Sequence, residues 1–551
     1  MKKEFQTQIQ RVSGWIAGLR YEDIPEDVIH FAKLQFLDCV AAICAGSLTD
    51  VGIKLKEALK SLESGGPYTL LPCGESWSFD NVLYYNSSMI NALELDNFLY
   101  MGHVGQSVVT SSLAMGQKLD VTGKELLLAM VTATEVAGRL AANLVNGSQQ
   151  GHMRAFIHRA GGAAAASKIS GYDESVTAQA LAIALSMPEY PLYPACFSPD
   201  TKVICTSSPT IGGVKAAFMA ANGMQGPLDI IENPVGLFSC FSYSKFVPNI
   251  WRYLGETWTL RSLSVKKFAT CGYAQGSVNA AIKLKRDHTF SLVEINRINI
   301  YAPIVTVIME KFSKPHFGAG ITPVNTHFST IRSVAAALIF GELTGSFYGA
   351  GTFEDKAVEI EKLTDRIYLH HDWQMTIQSL RGIDAGLANA GKPGFLSLGG
   401  SRNTFKRFKE AFGSRNLLQW NDLFKLAKIP RADLWYFLHR YYKSISFSVF
   451  KRRTRLNNGD SHSHEGELGK MQFYVSGRVE IIFKGGKTIS EICRLPPGFA
   501  NDPERSLVVR NKFMREAVHV WGEAKSLKIM EMILNIEKYS VTQLCAEIRI
   551  K

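Results

Sequence analysis

The sequence contains no Cys-x-x-Cys pair, no internal repeat and no low-complexity tract. Its nine cysteines are an odd number and lie scattered. Cys39 and Cys44 fall inside the apolar run Phe36 to Ala45, a setting for small buried thiols rather than bridges. A disulfide scaffold is therefore excluded, and a reducing, cytoplasmic setting is expected. No run approaches the roughly 18 apolar residues of a membrane-spanning helix, and the best candidate, Leu126 to Val145, carries Glu135 and Arg139 in its middle. The first residues, Met1-Lys2-Lys3-Glu4-Phe5-Gln6, have charge without an apolar core behind them and do not read as a signal peptide. No membrane partner is expected.

An excess of charge of one sign is also lacking outside a single segment. Lys and Arg total 61 against 49 Asp and Glu, a net charge of +12. Residues 402–455 alone hold fourteen basic residues against three acidic ones, so the remainder is close to neutral. The protein reads as a near-neutral body with one basic segment, and no nucleic-acid partner is expected.

What is present is the composition of a folded chain: 551 residues, 46% hydrophobic and 20% charged. At roughly 150 residues per domain this length allows three or four domains, or two large ones. To about residue 240 the periodicity is helical and rich in Ala. Thr122-Gly123-Lys124-Glu125 has the capping-box spacing, and the helix after it is apolar on nearly every face, so other helices should surround it. Gly161-Gly162 and Gly212-Gly213 offer almost no side-chain bulk and should let helix backbones approach closely. After Leu263 strands are expected at Ile295 to Ala302, Met471 to Val475, Val479 to Phe483 and Ile489 to Leu495, with Gly485-Gly486-Lys487 as the turn between the last two. From Pro503 the chain returns to helix. The expected fold is mainly α with an α+β lid. A large helical domain (1–262) is closed by C-terminal helices (505–551), and a smaller α+β domain (263–504) is inserted between them.

Several segments resemble the MmgE/PrpD family, which includes 2-methylcitrate dehydratase, cis-aconitate decarboxylase and iminodisuccinate epimerase. Leu37-Asp38 through Ala45-Gly46 is similar to its early Leu-Asp…Ala-Gly helix. Asn91 to Asn97 with His103-Val104-Gly105 is similar to its His-x-Leu-Asp-Phe-Asp-Asp…His-Pro-Gly stretch. Gly151-His152 with the following Gly/Ala helix, Thr201-Lys202 ahead of Gly213, the run Lys266 to Cys271, and Pro496-Pro497-Gly498 resemble later landmarks. Order and spacing hold over residues 10–345 and 470–515.

The resemblance implies a helical domain with a smaller lid, a homodimer, and a site between the two domains. It also implies dehydration, decarboxylation or epimerisation of small carboxylates without a metal or organic cofactor. Such reactions make or protonate a carbanion beside a carboxylate, so they need cations and a group that moves a proton near neutrality. By position the family's site residues fall on Glu94, Phe98, His103, His152, Lys202, Gln275 and Arg332. His103, His152 and Lys202 agree with the family. Glu94 replaces an aspartate, Phe98 a threonine, Gln275 a frequent histidine and Arg332 a frequent tyrosine. His103 and His152 are expected to move protons with Glu94 assisting; Lys202, Arg332, Gln275, Phe98 and Lys266 are expected to line the substrate.

The principal expectation is a lyase of dehydratase or decarboxylase type acting on a small carboxylate-bearing substrate. The four departures keep open an isomerase, epimerase or cyclisation catalyst on the same scaffold, and a silent ligand-binding protein is the third alternative. His462-Ser463-His464-Glu465 and His370-His371-Asp372 invite a metal reading, but two imidazoles without a third fixed ligand are a weak signal, and no metal is expected. Segment 373–460, with its basic residues and the aromatics Trp435 to Tyr442, reads as an amphipathic insertion packed on the lid. Nucleic-acid or lipid binding, or steering of anionic substrates, are its other readings.

Overall fold

The computed structural model describes residues 6–63, 65–100, 102–143, 155–197, 200–241, 250–251, 253–310, 313, 320–387, 429–437 and 474–549. The fold is mainly α with a small α+β region, and among the described residues the buried apolar side chains form two clusters. The first draws on helices up to residue 241, the segment 250–265 and the C-terminal helices from Val509. The second is built from residues 268–367 and 475–499, joined by Ala92, Leu93, Leu95, Phe98 and Cys196 to Cys205.

Helix Glu26–Ser47 corrects the reading of long apolar runs. It is long and apolar enough to cross a membrane, with a window of mean hydropathy 1.6, and 83% of that window is buried inside the fold. Its one buried charge explains why the sequence alone misjudges it. Asp38 is neutralised by Lys512 Nζ at 2.6 Å, a partner far along the chain that returns in helix Arg505–Trp521.

Helix Gly123–Asn143 begins as its spacing predicts. Thr122 N donates to Glu125 Oε2 at 2.8 Å, and Glu125 N donates to Thr122 Oγ1 at 3.3 Å. Glu135 and Arg139, the two charges inside this apolar helix, pair at 3.2 Å and are fully buried. Glu135 Oε1 accepts from Thr259 N at 2.6 Å, and Arg139 donates to the Thr257 carbonyl at 2.7 Å. The charges thus pin the helix to the strand-bearing segment that leads into the second cluster.

The small-residue pairs also act as the sequence suggests. Helices Ala155–Ile169 and Ser207–Ala221 approach so closely that a Cβ on Gly213 would lie 2.2 Å from the Arg159 carbonyl oxygen. One on Gly162 would lie 2.6 Å from the Thr210 carbonyl. Both obstacles are backbone and cannot rotate away. Gly213→Ala is expected to destabilise the protein by about 1–3 kcal/mol through overpacking, read as a lower urea midpoint at unchanged slope.

The second cluster holds a four-stranded mixed sheet. Ile295–Ala302 runs parallel to Ile367–His371 on one side and antiparallel to Gly477–Phe483 on the other, with Thr488–Cys493 at the edge. The first strand has the expected bounds; the last two start slightly earlier than expected and turn at Gly486, whose φ is +81°. Of the expected strand Met471 to Val475, residues 471–473 lie outside the described residues, and Tyr474 and Val475 are not in a strand. Within the expected insertion, helices Trp373–Leu387 and Arg431–Phe437 are described and joined by an Arg381–Asp433 ion pair; most of the basic stretch lies outside the described residues.

Candidate functional site

The site grows from the connection after helix Phe79–Asn91. The chain turns sharply at Glu94, whose φ of +52° is unusual for a residue with a side chain, and then forms the short strand Asn97–Leu99. Leu99 and Gly102 bridge their backbones in both directions at 2.8 Å, which delivers His103 at the entry to helix Gly105–Leu119. Strand Asn97–Leu99 pairs antiparallel with Leu263–Val265, Asn97 facing Val265. Continuing that register by one residue sets Lys266 against Asp96.

The result is a tight ionic cluster. Lys266 Nζ lies 2.9 Å from both Glu94 Oε2 and Asp96 Oδ1. Lys202 Nζ, presented by the short helix Thr201–Ile204, lies 3.1 Å from Glu94 Oε1 and also donates to the Asn91 carbonyl. Asn91 Nδ2 returns a bond to the Lys202 carbonyl at 2.7 Å, so backbone and side chain of Lys202 are both fixed. Asp96 Oδ2 sits 2.6 Å from His103 Nδ1 and accepts from Gln106 Nε2 at 2.8 Å. Glu94, Asp96, Lys202 and Lys266 are buried, whereas the His103 side chain is 23% exposed and forms the open edge. The Phe98 ring lies under Lys266, 5.9 Å from its Nζ, and packs edge-on against Phe499.

Electrostatics follow from this geometry. Burial alone would raise the Glu94 carboxyl, but Lys266, Lys202 and His103 outweigh it and hold it well below the usual carboxylate range. Asp96 is held down in the same way by Lys266 and His103 against its own burial. Burial would lower the Lys266 ammonium, yet Asp96 and Glu94 keep it above its ordinary value. The Lys266 ammonium and the two carboxylates are thus held in their charged forms.

Glu94, Asp96 and His103 could between them hold a metal ion, their ligand atoms lying within 4.8 Å of one another. The Lys266 ammonium already bonds both carboxylates, so a second cation would meet a positive charge where it needs ligands. His370 and His371 are drawn into the sheet region, His370 Nε2 at 3.1 Å from Asn299 Oδ1 and His371 Nε2 at 2.8 Å from Thr376 Oγ1. His462 and His464 lie outside the described residues.

Of the residues singled out from sequence, Glu94, Phe98, His103, Lys202 and Lys266 come together. His152 lies outside the described residues. Among the described residues, the hydrogen bonds of Gln275 and Arg332 go to groups other than the cluster. Gln275 Nε2 donates to the carbonyls of Phe268 and Thr270, each at 2.8 Å, and its oxygen accepts from Phe268 N, so it staples the loop after Lys266. Arg332 Nε pairs with Glu361 at 2.7 Å, and Nη1 donates to the Ser313 carbonyl.

Three residues escaped the sequence reading. Asp96 lies within the 91–105 stretch, and only the strand register shows that it joins lysine and histidine. Cys271, buried, has its thiol raised by burial and by Glu94 beside it. His327 ends the short helix Pro323–His327; its ring is fully buried, and neither ring nitrogen has a hydrogen-bond partner among the described residues. No periodicity or spacing marks that histidine.

Comparison with known proteins follows the same lines. Residues 10–248 match the MmgE/PrpD N-terminal domain. The chain is 24% identical over 362 residues to a cis-aconitate decarboxylase-like protein of Aspergillus oryzae, covering 60% of this chain and 73% of that one. It is 25% identical over 308 residues to a cis-aconitate decarboxylase of Aspergillus terreus, covering 52% and 62%. With the human cis-aconitate decarboxylase it shares 27% over 272 residues, covering 46% and 54%. The matches to the last two span less than two thirds of those enzymes.

Proposed function

We propose that this chain, whose residues 10–248 match the MmgE/PrpD N-terminal domain, is an enzyme of that type, a lyase acting on a small polycarboxylate by decarboxylation or dehydration. The observation that carries this reading is the convergence of Lys202, Lys266 and the Asp96–His103 pair on one buried cluster from which the His103 side chain is partly exposed.

The roles follow from hydrogen-bond polarity. With Nδ1–H donated to the Asp96 carboxylate, His103 keeps Nε2 as the nitrogen that takes or gives a proton at the open edge. Lys202, at the Glu94 side, holds a substrate carboxylate and stabilises the negative charge that develops on the carbon next to it. Glu94 orients both lysines. The chemistry draws on the chain's own side chains.

Charge balance adds a condition. Two ammonium groups against two carboxylates leave the cluster neutral, so a polycarboxylate arriving there brings uncompensated negative charge. Binding of such a ligand is therefore expected to be coupled to proton uptake, read as proton uptake on titrating the protein with ligand in weak buffer. The test is direct. Turnover of cis-aconitate and 2-methylcitrate is assayed with the wild-type protein, and protection against heating by each is measured alongside. Lys202→Met is expected to weaken the ligand by about tenfold or more, abolishing protection. Turnover of neither compound, with no protection, would overturn the reading.

A further inference from the structure

We propose that His327 is a second proton-transfer residue of this site, a base that becomes competent when an anionic substrate binds. The inference rests on the lyase reading above and goes beyond it, because nothing in the family resemblance assigns this residue.

The ring is fully buried, and both nitrogens are without partners among the described residues. Buried polar groups are ordinarily hydrogen-bonded, and an orphan imidazole with two free nitrogens is costly to keep unless a ligand completes it. Its position is nonetheless firmly held. The His327 carbonyl accepts from Cys271 N at 3.0 Å and from Thr270 Oγ1 at 2.9 Å, which ties it to the loop that begins at Lys266. The ring stands edge-on to Tyr348 at 4.3 Å, and the Tyr348 hydroxyl is likewise buried without a partner among the described residues. The neighbouring Phe328 ring lies 5.8 Å from Lys202 Nζ.

The titratable and charged groups around the ring are Lys202, Lys266, Glu94 and Tyr348. Burial, followed by the charge of Lys202, holds the imidazole well below its ordinary value, with Lys266 adding to that and Glu94 opposing it. In the free protein His327 is therefore neutral. Two lysine charges oppose an imidazolium there, and the carboxylates of a bound substrate offset them.

The step balances simply. A lone pair on a His327 ring nitrogen takes the proton from the carbon beside a substrate carboxylate. The C–H electron pair passes into that carboxylate, stabilised by Lys202, and the imidazolium returns the proton in the reverse sense. His103, anchored to Asp96 at the open edge, and His327, buried and unanchored, are the two environments that an acid–base pair requires.

The test uses the full chain with histidine isotopically labelled at the ring, and His327→Phe, which keeps the ring packing against Tyr348. The resonance lost in the variant identifies His327. Tricarballylate, a saturated tricarboxylate, is the probe. The expected result is a ring that stays neutral from pH 5 to 8 in the free protein and takes up a proton in that range when the probe is bound. His327→Phe should lower kcat on cis-aconitate or 2-methylcitrate by about a hundredfold or more. It should change KM far less and leave the probe's heat protection in place. If the probe protects wild type but the His327 resonance does not move, or if the variant turns over within a few-fold of wild type, this inference is overturned while the lyase reading stands. If no polycarboxylate protects wild type or is turned over by it, both are overturned together.

Discussion

Lys266→Met is expected to destabilise the protein by about 3–5 kcal/mol, more than any other single change at the site. Its ammonium is buried and bonds Glu94 and Asp96 at 2.9 Å each, so removing it strands two carboxylates in a dry environment. Methionine matches the length of the lysine stem, so a large loss would come from charge and not from a cavity. The pH dependence separates the two causes. In wild type, Glu94 and Asp96 are held below the ordinary carboxylate range, so their stabilisation is present above about pH 4 and is lost as pH falls through their folded values. In the variant those carboxyls lose their strongest cation and bind protons more readily, which relieves the repulsion in acid. The gap in urea midpoint between wild type and variant should therefore narrow as pH is lowered toward 4. A gap independent of pH would mean that Lys266 acts by packing.

Asp96→Asn is expected to lower kcat by about 10²- to 10⁴-fold with a much smaller change in KM. The carboxylate accepts from His103 Nδ1 at 2.6 Å and so fixes the tautomer that leaves Nε2 free. An amide of the same shape can present its N–H to Nδ1, which moves the imidazole proton to Nε2 and removes the lone pair at the open edge. Lys266 still bonds the remaining side-chain oxygen and keeps Glu94, while Gln106, whose Nε2 bonded the oxygen that becomes the amide nitrogen, must turn its amide to accept through Oε1, so folding should be affected less than by Lys266→Met. The readout is kcat and KM on whichever polycarboxylate wild type turns over. An unchanged kcat would remove the Asp96–His103 pair from the mechanism.

The elements readable from sequence are those set by local periodicity. Strand Ile295–Ala302, the capped helix at Gly123 and the glycine contacts between helices Ala155–Ile169 and Ser207–Ala221 each follow from spacing within a dozen residues. Glu94, His103 and Lys202 could be marked because the 91–105 and 201–213 stretches carry them as motifs. What could not be read depends on partners far along the chain. Asp38 looks like a break in an apolar helix until Lys512 arrives. Asp96 looks like one more acid until the register with Leu263–Val265 brings Lys266 beside it. Gln275 and Arg332 carry groups suited to a ligand, yet their hydrogen bonds go to loop carbonyls and to Glu361, a choice that only the folded backbone makes. His327 sits in a polar stretch with no pattern around it, and its significance lies in missing partners, which a sequence does not record.

The central claim is that a small polycarboxylate binds at the edge of the Glu94–Asp96–Lys202–Lys266 cluster beside His103. A crystal structure of the protein with tricarballylate at saturating concentration tests it most directly. The account expects a ligand carboxylate within hydrogen-bond reach, about 3 Å, of Lys202 Nζ, with another part of the molecule facing His103 Nε2. Tricarballylate seated elsewhere, with the cluster unchanged and closed to it, would contradict the account.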